Sequence, residues 1–421
     1  MKRLRPETAY WVLSGARAML LSMIFTASTV YYVNRVGLNP LQLVLVGTTL
    51  EVSVLLFEVP TGVVADVYSR RLSILIGIAL MGAGFLVEGS WPTFAAVLTA
   101  QVMWGIGYTF TSGATQAWIV DEVGEANAGR VFLRRSQAQQ LCDLIGIGIG
   151  VGLGSLLINL PILAGGVGLI LLAGLLAATM PEQNFTPRVD TAKHDLIAGF
   201  NASRKTLRDA LRIVRAHPAL LTIFGIGLFY GLYSEGYDRL SVAHLLKDVS
   251  LPTVGGLAPV IWVGSIRAAE SLLSLAATEV VRRRLDVTQA KALTQTLFAF
   301  STALAGALAA FALAGNFWVA VALMIGIGML RELIGPLYDT WMNQRLDSNV
   351  RATVISISGQ VDAVGQIAGG PGVGWIGNTI SIRVALLTSA AILSPVLGLY
   401  GYAFRRNGVL AGEETQGELA I

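Results

Sequence analysis

The chain has little of what soluble enzymes and metalloproteins are built from. Its 421 residues include one cysteine, Cys142, and three histidines, and only 13% of them are charged. A single cysteine excludes an internal disulfide and most thiolate metal sites, so we expect no metal and no cofactor. The sequence also lacks a glycine-rich phosphate loop that ends in Lys and Ser or Thr, and it lacks a repeated filter motif. These absences argue against an ATP-driven pump and against a channel.

Apolar residues are abundant instead. Hydrophobic residues make up 54% of the chain, and 47 residues are glycine. A helix needs about 20 mostly apolar residues to cross a bilayer. Such runs predict an all-α membrane protein with twelve transmembrane helices, at 10–33, 41–65, 72–89, 93–120, 136–159, 161–180, 219–244, 257–281, 289–313, 317–341, 353–378 and 381–404.

Basic residues are concentrated on one side of this predicted topology, and the other side keeps little beyond Arg35, Lys247 and Arg383. Because Lys and Arg are enriched in cytoplasmic loops, they place both termini in the cytoplasm and the protein in the inner membrane. The cytoplasmic set is Lys2, Arg3, Arg5, Arg70, Arg71, Arg130, Arg134, Arg135, the basic residues of 181–218, Arg282, Arg283, Arg284, Lys291, Arg345, Arg351, Arg405 and Arg406. The net charge of +4 is therefore spread between spans, which argues against nucleic acid as a partner.

The longest polar break divides the chain near its midpoint. We expect a six-helix bundle at 1–180, a cytoplasmic linker with a basic amphipathic helix at 181–218, a second bundle at 219–405 and a cytoplasmic tail at 406–421. Internal similarity supports two pseudo-symmetric halves. The fifth span carries Gln140 and Asp143 before a run of glycines, and the eleventh carries Gln360 and Asp362 before another.

The loop after the second span carries the most specific motif. It reads Gly62-Val-Val-Ala-Asp66-Val-Tyr-Ser69-Arg70-Arg71 and resembles the signature loop of the major facilitator superfamily. The resemblance implies twelve helices in two halves that transport by alternating access. It also implies a conformational latch, for which we name Gly62, Asp66, Arg70, Arg71 and Asp121. In this latch, Gly62 lets helices approach closely, Asp66 accepts hydrogen bonds at a helix end, and Arg70 or Arg71 pairs with Asp121.

Further segments resemble the drug:proton antiporter branch, which includes macrolide and tetracycline exporters. They are Glu58-Val-Pro60-Thr-Gly62, Ser112-Gly-Ala-Thr-Gln-Ala-Trp118-Ile-Val-Asp121-Glu122 and Ser234-Glu235-Gly-Tyr-Asp238-Arg239. Two departures stand against this branch. Gln101 occupies the place of an arginine in the fourth span, and the fifth span keeps its glycines but lacks the Gly-Pro pair.

Ionisable residues at membrane depth are costly, so several in one bundle imply a water-filled cavity or mutual pairing. A carboxylate in such a cavity can exchange a proton between the two sides. The candidates for proton coupling are Asp143, Glu332, Asp362, Glu235, Glu58 and Glu51. Glu235 and Arg239 lie four residues apart, which also allows simple neutralisation within one helix.

Aromatic and amide side chains predict the lining of a substrate cavity. The candidates are Gln101, Tyr108, Gln137, Tyr230, Tyr233, Trp262 and Gln360. Such a lining suits a small amphipathic molecule. Together these features predict a monomeric secondary transporter in the lipid bilayer, which exports amphipathic drugs in exchange for protons. The alternatives are export of a lysolipid or siderophore, uptake of a nutrient, and an intramembrane enzyme that uses Asp143 and Asp362 as an acid pair.

Overall fold

The computed structural model describes residues 3–186, 218–249, 251–252, 256–344, 346 and 348–404. Within these ranges it contains α-helices and no β-strand. The helices are α1 Pro6–Tyr31, which continues as a π-helical turn Tyr32–Val36, α2 Pro40–Val67, α3 Arg70–Ser90, α4 Phe94–Thr111, α5 Ala114–Val123, α6 Glu125–Leu156, α7 Leu160–Thr179, α8 Pro218–Lys247, α9 Pro259–Arg284, α10 Ala290–Leu313, α11 Phe317–Gln344, α12 Ser348–Thr379 and α13 Ile382–Leu393. The amphipathic linker helix predicted within 181–218 and the tail at 406–421 lie outside the described residues, apart from 181–186 and residue 218.

Nine helical segments in the described part of the chain are long and apolar enough to cross a membrane. They lie in α1 with its π-helical turn, α2, α3, α6, α7, α9, α10, α11 and the segment Ile382–Phe404, which begins with α13. The remaining predicted spans correspond to α4 with α5, to α8 and to α12. Polar residues lower the apolarity of α8, which carries Glu235, Asp238 and Arg239.

Local sequence signals determine where several helices begin. At the start of α2, Asn39 Oδ1 accepts a hydrogen bond from Gln42 N at 2.8 Å, and Gln42 Oε1 accepts one from Asn39 N at 3.1 Å. This reciprocal pair satisfies two backbone N–H groups, and Pro40 at the first helical position lacks an N–H. Ser69 caps α3 in the same position by accepting from Leu72 N at 2.9 Å.

The predicted fourth span is not a continuous helix. α4 ends at Thr111 and α5 begins at Ala114, with Gly113 between them at φ 66°. Because this left-handed region disfavours residues with a Cβ, Gly113 permits the break inside the segment that was predicted as one span. The apolar part of α6, Ala138–Leu156, agrees with the predicted fifth span, and the helix itself begins earlier, at Glu125.

The helices form two compact units. The first contains α1 to α7 together with α9 up to Ala268, and the second contains α8, α9 from Ala269, and α10 to α13. In the first unit α1 packs on α6 and α7, and α3 packs on α4 and α7. In the second unit α8 packs on α12 and α13, and α10 packs on α11 and α13. The domain boundaries inferred from sequence remain a prediction.

Glycines set the closeness of two helix pairs. A Cβ at Gly146 or Gly150 of α6 would collide with backbone carbonyl oxygens of α1, whereas one at Gly148 or Gly152 would meet no described atom within 4 Å. Gly365 of α12 faces α8 in the same way, with a built Cβ only 2.5 Å from a carbonyl oxygen. The glycine runs of the fifth and eleventh spans therefore act in close helix packing.

Candidate transport site

A cavity of about 520 Å³ lies within the second unit. Three helices line it, each through residues that recur every three or four positions and so share one helix face. The lining residues are Gly227, Tyr230, Tyr233, Ser234 and Asp238 of α8, Arg331, Ile334, Gly335, Tyr338, Asp339 and Met342 of α11, and Ile355, Ser358, Gly359, Asp362 and Gln366 of α12. Charged, aromatic and amide groups thus meet in one volume of the size that small ligands occupy.

An ion pair joins two walls of this cavity. Arg331 of α11 forms a two-pronged contact with Asp238 of α8, in which Nη2 lies 2.9 Å from Oδ2 and Nη1 contacts Oδ1. The guanidinium also lies 5.6 Å from the centre of the Tyr237 ring, a distance at which the ring face attracts a cation. Asp238 therefore compensates the positive charge that Arg331 brings into the cavity.

A second carboxylate, Asp362 of α12, has a different partner. Gln366, one turn further along the same helix, donates from Nε2 to Asp362 Oδ2 at 2.8 Å. Arg331 attracts Asp362 but forms its ion pair with Asp238. Among the described residues, Asp362 makes no ion pair of its own. Its hydrogen-bonded partner, the amide of Gln366, is neutral. Of these two acids, Asp362 is the one that can lose its charge without breaking a salt bridge.

Tyrosine rings form the aromatic part of the wall. Tyr230 packs edge-on against Tyr233 with ring centres 5.8 Å apart, and its centre lies 6.5 Å from that of Tyr338. Hydrogen bonds hold two of the hydroxyls: Tyr230 Oη lies 2.8 Å from Ser301 Oγ, and Tyr338 Oη donates to Ile223 O at 2.8 Å. Because the hydroxyls are engaged, the rings have fixed orientations toward the cavity.

Two acids predicted to couple protons lie in the same unit but do not line the cavity. Glu235 is buried and accepts from Arg239 Nε at 2.9 Å, so it is neutralised within its own helix. Glu332 follows the cavity arginine, but its side chain is exposed on another face of α11. Helical spacing accounts for Glu332, which is adjacent in sequence to Arg331 and so projects from a different side of α11, whereas Glu235 lies outside the lining as the partner of Arg239.

The remaining predicted acids belong to the first unit. Asp143 of α6 is half-buried and is attracted by Arg267 of α9 within that unit. On α2, Glu51 is half-buried and Glu58 is exposed. The structure therefore brings only one of the six predicted coupling acids, Asp362, into the cavity described above.

The predicted cavity residues divide in a similar way. Tyr230 and Tyr233 line the cavity, whereas Gln360 is half-buried on α12 and lies outside its lining. Tyr108 of α4 is 48% exposed, and Trp262 of α9 is half-buried. The side chain of Gln137 lies outside the described residues.

Gln101, also expected in a substrate cavity, is instead buried in a polar network with Glu88. Glu88 of α3 is fully buried, and its Oε1 accepts from Tyr32 Oη at 2.9 Å. Gln101 Nε2 lies 3.3 Å from Glu88 Oε2 and 3.4 Å from Tyr32 Oη. The sequence did not single out Glu88 as a functional residue. It lies two residues before the end of α3, where an acid is typical of the end of a membrane-spanning helix.

The predicted latch is present in part. Arg70, rather than Arg71, forms the ion pair with Asp121, and Arg70 is buried. No atom of the described residues lies within 4 Å of a Cβ built at Gly62, so this glycine does not bring two helices together here. Asp66 makes no hydrogen bond or ion pair with any described residue.

The acceptor for free N–H groups near the signature loop is Glu182, just after α7. Its carboxylate accepts from Arg71 N at 2.8 Å and from Ser69 Oγ at 2.6 Å, at the first turn of α3. Trp118 of α5 holds the same segment by donating from Nε1 to Pro181 O at 2.8 Å. The role expected of Asp66 at a helix end is thus filled by Glu182 in this structure.

Comparison with known proteins decides the family. A sequence profile described as Major Facilitator Superfamily matches residues 10–370. The chain belongs to the major facilitator superfamily. This protein is therefore a multi-pass membrane transporter with the all-helical major facilitator fold, as predicted, and the intramembrane enzyme is excluded. Members of the superfamily handle small-molecule substrates in the membrane.

Individual relatives agree with this assignment. An uncharacterised major-facilitator-type transporter of Bacillus subtilis (strain 168), YxaM, is 23% identical over 402 residues, which cover 93% of this chain and 94% of the relative. The crystal structure of the nucleoside transporter NupG matches with a TM-score of 0.76 at 14% identity, over 95% of this chain and 99% of that one.

Two further solved structures have the same fold. A peptide transporter, POT, in complex with sulfate has a TM-score of 0.72 at 13% identity and covers 95% of this chain and 94% of its own. A bacterial homologue of the human lysosomal transporter Spinster, in an inward-facing and unoccupied conformation, has a TM-score of 0.70 at 14% identity over 96% and 98% of the two chains. At these identities the likeness establishes the fold alone.

Proposed function

We propose that this transporter exports amphipathic drugs in exchange for protons, and that Asp362 is the residue that exchanges the proton. The observation that supports the proposal is the division of roles in the cavity. Asp238 holds the positive charge of Arg331, whereas Asp362 has a neutral amide as its hydrogen-bonded partner. Asp362 can therefore lose its charge without releasing the Arg331 cation, whereas Asp238 cannot.

The exchange follows from charge balance. A carboxylate in a membrane cavity is costly unless a proton or another cation neutralises it. A drug with a positively charged group can take the place of the proton: the O–H bond of Asp362 breaks, the proton leaves to water, and the drug cation pairs with the carboxylate. The net charge of the cavity is the same in both loaded states, so either one can undergo the conformational change at similar cost.

The walls of the cavity set the substrate class. Tyr230, Tyr233 and Tyr338 offer aromatic surface, and Ser234 and Ser358 add small polar groups. Such a lining receives the apolar body of an amphipathic molecule, while Asp362 receives its basic group.

The membrane location and topology of the protein are part of the same proposal. We place the protein in the inner membrane as a monomer with both termini in the cytoplasm, because the sequence concentrates basic residues in the predicted cytoplasmic loops, among them Arg70, Arg71 and Arg282 to Arg284. The contact between Arg70 and Asp121 then serves as part of a cytoplasmic latch that breaks and re-forms during alternating access.

A second candidate is uptake of a nutrient together with protons. It is favoured by the fold neighbours described as nucleoside and peptide transporters. Export of a lysolipid or a siderophore is a further variant of the export proposal, with the same carboxylate in the same cavity.

Purified protein in liposomes with an acidic lumen distinguishes export from uptake. We expect tetraphenylphosphonium to accumulate in the lumen while the lumen pH rises, because protons leave as the cation enters. The variant Asp362→Asn should abolish the pH response, whereas Glu332→Gln, with an exposed acid outside the cavity, should retain it. Uptake by symport predicts instead that substrate and protons move in the same direction, and accumulation without a pH response contradicts proton coupling.

A further inference from the structure

The first unit contains a buried acid that the proposed transport cycle does not use. Glu88 of α3 is fully buried and has hydrogen bonds at both carboxylate oxygens, from Tyr32 Oη at 2.9 Å and from Gln101 Nε2 at 3.3 Å. Its backbone carbonyl accepts a further hydrogen bond from Tyr31 Oη at 2.7 Å. Three helices, α1, α3 and α4, therefore meet at this one residue.

The groups around Glu88 come from every side of this junction. The end of α1 brings the titratable Tyr31, and the π-helical turn brings Tyr32 and Arg35, whose charge acts on Tyr31. From α4 comes Gln101, an amide that does not titrate. The residue ahead of α7, Asn159, donates to the backbone oxygen of the next residue, Gly89, at 3.0 Å.

The side-chain amide of Gln101 can hydrogen-bond to Glu88 in two orientations, as a donor or as an acceptor. The side chain is 1% exposed; its Nε2 donates toward the carboxylate, and its Oε1 is buried with no hydrogen-bond partner among the described residues. A buried acceptor without a donor costs free energy. If the amide turns over, Oε1 faces Glu88 and can accept a hydrogen bond from it, provided that Glu88 carries a proton.

Both protonation states of Glu88 are then satisfied by the same neighbours. In the ionised state, Tyr32 and Gln101 donate to the two carboxylate oxygens. In the protonated state, Glu88 donates to the reversed Gln101, and the other Glu88 oxygen still accepts from Tyr32. Because a hydroxyl and an amide each offer a donor and an acceptor, the change requires no new partner.

We infer that Glu88, Gln101 and Tyr32 form a proton-binding site in the first unit, at which Glu88 takes up a proton from water as the Gln101 amide reverses. In this step one O–H bond forms at Glu88, and the bond between the proton and its water carrier breaks. The site is separate from Asp362, and the inference does not depend on the exported substrate.

The position of the site gives the proton a structural effect. Tyr31 is the last residue of α1, and Tyr32 is the first residue of the π-helical turn that ends at Val36 and is capped by Gly37, where φ is 77°. Single π-helical turns are frequent at functional sites. Protonation of Glu88 therefore changes the hydrogen bonding that holds this turn of α1.

Infrared difference spectroscopy of the purified protein, between acidic and neutral pH and without substrate, tests the inference directly. We expect a C=O stretching band of a protonated carboxyl group at acidic pH. It should be lost, by an amplitude of about one carboxyl per chain, in Glu88→Gln, and kept in the control Glu332→Gln. Asp362→Asn should remove a different band. Spectra of wild type and Glu88→Gln that are identical in this region overturn the inference.

A second variant keeps the test valid if Glu88→Gln does not fold. Gln101→Leu removes the acceptor that the protonated acid is inferred to use, so the band should move to higher frequency, as expected of a carboxyl group with fewer hydrogen bonds. A band that keeps its position in Gln101→Leu contradicts the reversal of the amide. If Glu88 has a purely structural role, neither wild type nor Gln101→Leu should show a Glu88 carboxyl band that depends on pH.

Discussion

Asp238 and Arg331 form an ion pair between α8 and α11 although they are separated by 93 positions in the sequence. This pair removes Asp238 from the set of acids that can exchange a proton freely. It leaves Asp362, on the third wall of the same cavity, as the acid with a neutral partner. The assignment of coupling in the second unit depends on this division.

The pair can be measured by a double-mutant cycle. Asp238→Asn and Arg331→Gln should each lower thermal stability in detergent, and the double variant should lose less than the sum of the two. Because both side chains open onto the cavity, solvent screening limits the coupling energy to roughly 1 kcal/mol. Strictly additive losses would show that the two groups do not stabilise one another.

The glycines of α6 predict an alternating pattern of tolerance. Gly146→Ala should destabilise the protein by about 1–3 kcal/mol, because the added Cβ collides with the carbonyl oxygen of Met19. Gly148→Ala, where no described atom lies within 4 Å, should be neutral or stabilising by up to about 1 kcal/mol, since alanine favours the helix. Melting temperatures of the two variants check this, and equal losses would refute the packing register of α1 and α6.

A buried tryptophan anchors the second unit beside the cavity. Trp341 is 1% exposed, donates from Nε1 to Thr294 Oγ1 at 2.9 Å and stacks on Tyr338. Trp341→Phe should cost about 1–2 kcal/mol through the lost hydrogen bond and contact area. The control is Trp318→Phe, at a side chain that is 61% exposed, and it should change stability by less than about 0.5 kcal/mol. The reverse order of the two losses would contradict the burial of Trp341.

The carboxylate that caps α3 makes a prediction for the signature loop. Glu182→Ala removes the acceptor for Arg71 N and Ser69 Oγ, so it should lower stability by about 1–2 kcal/mol. Gln183→Ala is the matched control, since its side chain is exposed and its backbone N still donates to Glu122 at 2.7 Å. Equal stability of the two variants would show that the Glu182 carboxylate does not stabilise the start of α3.

Much of the fold could be predicted because membrane helices follow from local composition. Long apolar runs locate most spans, and the charges of Arg70 and Asp121 at helix ends suggest their contact. The break at Gly113 was not predicted, although the polar stretch Thr111-Ser112-Gly113-Ala114-Thr115-Gln116 around it is a signal that could have indicated it. Glycine runs in α6 indicated close packing, but the alternation of packed and open glycines depends on which face meets α1.

The site was less predictable, since it depends on how helices are rotated. Asp238 and Glu235 are three residues apart on α8, yet only Asp238 lines the cavity, and Glu235 pairs with Arg239. An amphipathic pattern resolves such rotations poorly in a bundle that is apolar on most faces. Glu88 was missed for a related reason, because burial at the end of a span depends on Tyr32 and Gln101 from other helices.

Substrate exchange in the absence of a proton gradient tests the central claim most directly. Liposomes loaded with unlabelled tetraphenylphosphonium, with the labelled cation outside, should exchange label at equal pH for both wild type and the control Glu332→Gln. An imposed pH gradient should then drive accumulation in wild type and fail to do so in Asp362→Asn. Retained gradient-driven accumulation in Asp362→Asn would contradict the assignment of proton coupling to the cavity of the second unit.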